Sequence, residues 1–275
     1  MRVSRGAIFA EIFLVITASL WAADQPLPRF DHIVIAIEEN HSAVEVAEAP
    51  YLSSLAARGM VFSRSFAVAH PSQPNYVAIF SGSTHGIRDD WRHDIAGPNL
   101  ALSLAAAGLT FAGFSEDLPS TGFRGDRAGG YVRKHSPWAS FTNAPDAVNR
   151  PLTDFPTGDF ASLPTVSFVI PNLRNDMHDG SVADGDKWLH DHLESYARWA
   201  VLHDSLLIVT FDEGPGSQAP ADTPIATVMV GAHVKAGLSD QPITHYSVLR
   251  LIEDIYGLPY IGEDSTAARI TGICN

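Results

Sequence analysis

Along this chain, unbroken apolar runs alternate with stretches in which apolar residues recur every three to four positions. Residues 30–37 (FDHIVIAI) form a run rich in Ile and Val, the pattern of a strand buried on both faces, and it stops abruptly at Glu38-Glu39-Asn40-His41. The pattern next predicts a short helix over 51–58 closed by Gly59, then a strand over 61–68. Residues 71–76 (PSQPNY) read as an elbow that delivers Ser72 to a helix. Ser72 suits the N-cap and Pro74 the first turn; Val77, Ala78 and Phe80 supply an apolar face, and Gly82 a stop. A helix over 100–107 ending at Gly108 and a strand over 109–114 follow.

From 115 to about 163 the periodicity fails. The stretch is rich in Gly, Pro, Asp and Arg, with Lys134-His135-Ser136-Pro137-Trp138 in its middle, and a loop region of that length predicts a lid or substrate cover. A strand resumes over 165–170 and ends in a polar loop carrying Asp176, His178 and Asp179. Residues 184–202 predict a long amphipathic helix with Trp188, Leu189, Leu193, Tyr196 and Ala200 near one face. Residues 206–211 (LLIVTF) predict a buried strand that stops at Asp212-Glu213-Gly214. A further strand over 224–230 and a last helix over 246–256, ended by Gly257, complete the pattern. Strands alternating with helices imply an α/β fold with a mostly parallel central sheet and helices on both faces, in one domain without internal repeats.

The formal charge of −13 over 275 residues argues against nucleic acid or an anionic membrane surface as the main partner. It leaves anionic substrates open, because a bound divalent cation inverts the local field. Residues 1–23 read as a secretory signal: Arg2 and Arg5 at the start, an apolar segment over 7–20 interrupted by Glu11, and Trp21-Ala22-Ala23 at the exit. The segment is short for a membrane anchor, so a periplasmic or secreted bacterial protein spanning 24–275 is expected. The single cysteine, Cys274, forms no intramolecular disulfide, which suits that setting only if the core is self-sufficient.

Three strand ends carry polar clusters: Glu39-Asn40, Asp176 with His178, and Asp212-Glu213. Singly, each reads as strand-end punctuation or a helix cap. In a parallel sheet, however, all three ends share one edge with the Ser72 elbow. A hydroxyl at a helix N-terminus sits in positive potential, which stabilises an alkoxide and attracts phosphate. Carboxylates and an amide oxygen are hard ligands for Mg, Mn or Ca, or for Zn where His joins them. Such an ion beside a serine would lower the hydroxyl pKa and polarise a phosphoryl oxygen.

The chain resembles the bacterial acid phosphatase and phospholipase C phosphoesterase family of the alkaline phosphatase-like superfamily. The matching stretches are FDHIVIAIEENHS (30–42), HPSQPNYVAIFSGSTHGI (70–87), YVRKHSPW (131–138), PTVSFVIPNLRNDMHDGSVADGDKWL (164–189), LIVTFDEG (207–214) and ITHYSVLRLIEDIYGL (243–258). The resemblance implies an alkaline phosphatase-like fold with Ser72 as phosphoryl-accepting nucleophile. It implies Glu39, Asn40, Asp212 and Glu213 as ligands of a divalent metal that also holds the serine oxygen. His178 would contact the phosphoryl group and protonate the leaving oxygen, and His135, in the family's KHxP segment, would bind phosphate. A phosphoserine would form and then be hydrolysed by water.

Three residues join His135 in the candidate substrate-binding set, each with a plainer alternative. Asn75 reaches phosphate through its amide or serves as a local hydrogen-bonding device. Asp176 orients His178 or fixes its loop. His245 lies where related superfamily members place a metal histidine, or simply starts the last helix. Asp90 stands where some relatives have a phosphate-binding Asn, but a carboxylate would repel phosphate. The expected reaction is hydrolysis of a small-molecule phosphate monoester. A phospholipase C or phosphodiesterase is the alternative, with Trp138, Phe141 and Phe123 as candidates for a bilayer-facing surface. A second alternative is a non-catalytic phosphate-ligand binding protein. A sulfatase is discounted, since Tyr76 stands where its pattern needs Arg. Metal identity, metal number and oligomeric state are left open by the sequence.

Overall fold

The computed structural model describes residues 27–216 and 223–274; the signal expected over 1–23 lies outside them. In chain order the strands are β1 (His32–Glu38), β2 (Met60–Phe62), β3 (Ser65–Phe66), β4 (Phe111–Ser115), β5 (Arg127–Ala128), β6 (Tyr131–Val132), β7 (Asn149–Pro151), β8 (Val166–Ile170), β9 (Ser205–Phe211), β10 (Thr227–Gly231), β11 (Gly237–Ser239) and β12 (Ile243–Thr244). The α-helices are α1 (Pro50–Arg58), α2 (Ser72–Ser81), α3 (Leu100–Ala106), α4 (Pro137–Ser140), α5 (Val182–Ala200) and α6 (His245–Tyr256).

Eight strands form one sheet in the order β11-β2-β10-β9-β1-β8-β4-β7. β9, β1, β8, β4 and β7 run parallel, and β10 runs antiparallel to both β9 and β2. The central strand β1 shows why both faces are covered. Ile33, Ile35 and Ile37 pack with Val77, Ile79 and Phe80 of α2 and Leu249 and Ile252 of α6. Val34 and Ala36 face the other way, toward Leu52 and Leu55 of α1 and Leu189 and Leu193 of α5. Each such fully buried aliphatic side chain contributes roughly 1.5–3 kcal/mol. All ten residues of α2 are buried, which fits a helix enclosed on every side. The long helix α5 starts with a capping box, in which Ser181 Oγ accepts from Asp184 N at 3.1 Å and Asp184 Oδ2 accepts from Ser181 N at 3.2 Å.

The mostly parallel α/β sandwich matches the expectation, and local details differ. The strand expected over 61–68 is broken at Ser63-Arg64 into β2, in the main sheet, and β3, which pairs with β12 in a separate two-stranded sheet. The stretch over 115–163 is woven into the fold. It supplies the hairpin β5–β6, the helix α4 and the edge strand β7. Trp138 and Phe141 are buried against Phe80 rather than turned outward, so they form no bilayer-facing surface. Among the described residues, no helix is long and apolar enough to cross a membrane.

Candidate active site

The carboxyl ends of β1, β8 and β9 are stitched together by backbone contacts. Asp212 N donates to Glu38 O at 2.9 Å, and Glu39 N donates to Asp176 O at 2.8 Å. Asp212 Oδ1 accepts from Asn40 N at 3.0 Å and from its neighbour's Glu213 N at 2.6 Å. Asn40 takes a left-handed φ of 56°, which Asn tolerates better than most residues. The three clusters thereby meet, and α2 points its N-terminus at them.

Ser72 is not the helix cap. Pro71 holds that position without a capping bond and Ser72 is the first helical residue. Its hydroxyl is therefore free of the helix, and Oγ donates to Glu39 Oε2 at 3.0 Å with Glu213 Oε1 at 3.4 Å. The first turn is also poorer in free donors than a generic helix start. Pro71 and Pro74 have no N–H, and Gln73 N donates to Asp90 Oδ1 at 3.0 Å.

His135 lies between two strand ends, its Nε2 3.0 Å from Glu39 Oε1 and its Nδ1 3.2 Å from Asp176 Oδ2. Tyr76 of α2 stacks on its ring, with centroids 4.8 Å apart and planes 10° apart. The position of His135 is set from β4. Ser136 Oγ lies 2.9 Å from Ser115 Oγ, and the Trp138 indole lies flat against Gly113, where a Cβ would come within 2.0 Å of it.

Electrostatics follow from four buried carboxyls at one point. Burial depresses the His135 imidazole, but Glu39 and Asp176 outweigh it and raise the group to about 9. Burial likewise acts to raise Glu39, yet the His135 charge brings it down to about 2. Asp212 is pushed well above the ordinary carboxylate range by burial and by Glu39 and Glu213. Glu213 rises to about 8 through burial, Glu39 and Asp90. Asp212 Oδ2 is buried without a hydrogen-bond partner. As the side chains stand, no three His, Cys, Asp or Glu residues among the described residues converge on one ion position.

Of the residues singled out in the sequence, Glu39, Asn40, Ser72, His135, Asp176, Asp212 and Glu213 form this one cluster. His178 sits at its rim. Its backbone N–H reaches Asp176 Oδ1 at 2.8 Å, its Nδ1 lies 2.7 Å from Asp179 Oδ1, and its ring centre is 6.5 Å from that of His135. The Asn75 amide is committed to the backbone, the local hydrogen-bonding arrangement that is the plainer of its two expected roles. Oδ1 accepts from Val68 N and Ala69 N, both at 3.0 Å, and Nδ2 donates to Ala69 O at 2.8 Å and Pro71 O at 3.3 Å. His245 is buried under β9, with Nε2 3.0 Å from Phe211 O, and burial lowers its pKa to about 4.

Sequence reasoning missed three partners. His70 pairs with Glu213 Oε2. Lys134 Nζ lies 2.8 Å from Asp90 Oδ2, so Asp90 links the nucleophile helix to the loop that carries His135. Glu38 is fully buried with both side-chain oxygens unpartnered. His70 and Lys134 each adjoin a residue already singled out, by two and one positions, and that proximity was the available signal.

Comparison with known proteins places this geometry in context. The chain is 48% identical over 257 residues to a phosphatidylinositol-3-phosphatase of Mycobacterium tuberculosis, covering 91% of this chain and 85% of that protein. It is 31% identical over 261 residues to a phosphate-repressible acid phosphatase of Penicillium chrysogenum, covering 88% of this chain but only 62% of the fungal protein. Among solved structures, a Vibrio parahaemolyticus protein of the alkaline phosphatase superfamily superposes with a TM-score of 0.61 at 13% identity, covering 90% of this chain and 72% of that one. The lipoteichoic acid synthase LtaP of Listeria monocytogenes gives 0.58 at 11% identity, covering 86% and 76%. Both share the fold. The Phosphoesterase family model matches residues 44–259, and the chain belongs to the Phosphoesterase family.

Proposed function

We propose that this protein hydrolyses phosphate monoesters with Ser72 as nucleophile. The observation that carries the reading is the Ser72 hydroxyl, freed from capping and aimed at Glu39 and Glu213 at the start of a buried helix. Ser72 Oγ attacks phosphorus, the bond from phosphorus to the alcohol oxygen breaks, and a phosphoserine forms. The Ser72 proton goes to the facing carboxylates. His178, at the rim, gives a proton to the leaving alcohol oxygen, and His135 neutralises charge on the phosphoryl group. Water then attacks the phosphoserine, releasing inorganic phosphate and restoring Ser72. The mycobacterial relative supports the monoester reading, since its name describes removal of a phosphate from an inositol ring.

The donor set fits a divalent cation in its chemistry. Glu39, Asn40, Asp212 and Glu213 offer hard oxygens, and Asp212 Oδ2 is orphaned in a site crowded with negative charge. Those residues and Ser72 would hold the ion, which would lower the serine pKa and offset the charge of the phosphoryl oxygens. Export across a bacterial membrane belongs to the same reading and rests on residues 1–23.

The test is hydrolysis of p-nitrophenyl phosphate against bis-p-nitrophenyl phosphate and p-nitrophenyl phosphorylcholine by chelator-stripped protein, each divalent metal being restored in turn. Metal-dependent cleavage of the monoester supports the proposal. Preference for the diester or choline ester moves the protein to the phosphodiesterase or phospholipase C side. Lack of turnover with every metal leaves a binding protein.

A further inference from the structure

Ser72 and Tyr76 stand four residues apart on α2, so they share one face of the helix. Ser72 Oγ reaches Glu39 Oε2 at 3.0 Å. One turn later the Tyr76 ring lies on the His135 imidazole, with 4.8 Å between centres and 10° between planes. By contrast the His178 ring is 6.5 Å from His135 and tilted by 48°. Tyr76 is 1% exposed and belongs to the apolar cluster of Ile37, Val77 and Phe80, so its ring has little room to turn.

The plane of the imidazole matters because both of its nitrogens are in use. Nε2 lies 3.0 Å from Glu39 Oε1, and Nδ1 lies 3.2 Å from Asp176 Oδ2. Hydrogen bonds to ring nitrogens are directional, while the torsion that turns a histidine ring is broad. A tilted ring would loosen Glu39, whose other oxygen holds Ser72. Packing of Trp138 on Gly113 places the His135 segment, and the flat face of Tyr76 restricts the ring within it. The Tyr76 hydroxyl faces the same carboxylate. It is buried without a hydrogen-bond partner as the side chains stand, and of the carboxylates around it Glu39 acts on it most strongly. Burial and then those carboxylates keep the phenol protonated well above its ordinary range, so it stays a donor.

We propose that Tyr76 is a positioning residue for the phosphoryl transfer: its ring fixes the plane of the His135 imidazole, and its hydroxyl steadies the Glu39 carboxylate that orients Ser72. The inference rests on the phosphomonoesterase reading above and adds a residue that acts through two others. The ring and the hydroxyl have separable effects, because the ring works through His135 and the hydroxyl through Glu39.

A double-mutant cycle on p-nitrophenyl phosphate separates them. Tyr76→Phe keeps the flat face and should lower kcat about threefold to tenfold. Tyr76→Leu loses the face as well and should fall about tenfold further. In a His135→Gln background the ring has no imidazole to hold, so Tyr76→Phe and Tyr76→Leu should give the same kcat within about twofold. Affinity for orthovanadate by titration calorimetry needs no turnover and should follow the same pattern. Tyr76→Met, which fills the space without a flat face, replaces Tyr76→Leu if that protein does not fold. A tenfold excess of Tyr76→Phe over Tyr76→Leu that persists in His135→Gln gives the ring a packing role only and overturns the inference. So does an excess near one in the parent. Tyr76→Phe equal to the parent in kcat and in orthovanadate affinity overturns the part assigned to the hydroxyl. Each of these results leaves the phosphatase reading standing. A parent protein that neither cleaves p-nitrophenyl phosphate with any divalent metal nor binds orthovanadate removes that reading and this inference with it.

Discussion

Ser72 Oγ and Glu39 Oε2 lie 3.0 Å apart, joining the start of α2 to the end of β1. The hydroxyl is oriented by a carboxylate that His135 holds ionised, rather than by the helix it begins. Ser72→Ala should therefore reduce phosphatase turnover by on the order of 10³-fold or more while the thermal midpoint stays within a few degrees. Substantial turnover in a folded Ser72→Ala protein would remove the nucleophile assignment.

Asn75 supports the elbow. Removing its amide leaves the Val68 and Ala69 N–H groups without their acceptor. Asn75→Ala should cost about 2 kcal/mol, a fall in Tm of about 4–8 °C at this chain length. A calorimetric scan checks this; an unchanged Tm with a raised KM would instead support the phosphate-ligand role.

Gly113 sets the position of His135 from a distance. A Cβ there would meet Trp138 Cζ2 at 2.0 Å, and Trp138 stands three residues beyond His135. Gly113→Ala should destabilise by about 1–3 kcal/mol through overpacking and also lower kcat, because the His135 segment must shift. Steady-state kinetics with a matched melting curve separates the two effects. Lost stability with full kcat would show that the segment repacks without moving His135.

Glu253 of α6 and Asp264 form a second carboxyl pair, both fully buried and each with unpartnered side-chain oxygen. Burial and then Asp264 push Glu253 up to about 10, with Asp254 adding to the rise. The folded state thus keeps a proton that the unfolded chain releases near 4.5. Because the folded state binds more protons between these values, stability falls as pH rises from about 4.5 toward 10. Glu253→Gln keeps a donor for Asp264 and removes the titration. Its Tm advantage over the parent should be small at pH 5 and grow by several degrees by pH 8. Parallel pH profiles of Tm for the two proteins would refute this account.

Much of this molecule follows from local pattern. The Ile- and Val-rich runs ending in acid, the amphipathic periodicity of α5 and the glycine stops are all short-range signals, so the strand–helix alternation and the polar edge were legible in the sequence. Side chains pointing alternately to two faces made a doubly covered sheet the consistent outcome. Tertiary structure decided the rest. The 115–163 stretch has no period to read, and its strand, buried Trp138 and placement of His135 come from packing on β4. Whether Ser72 capped its helix, and whether Asn75 faced substrate or backbone, depended on which distant groups arrived beside them. Glu39 reaches Ser72 across 33 residues, and Glu213 does so across 141. Hydrogen bonds and charges are satisfied by whatever the folded chain brings within about 3 Å, and local residue order does not encode that proximity.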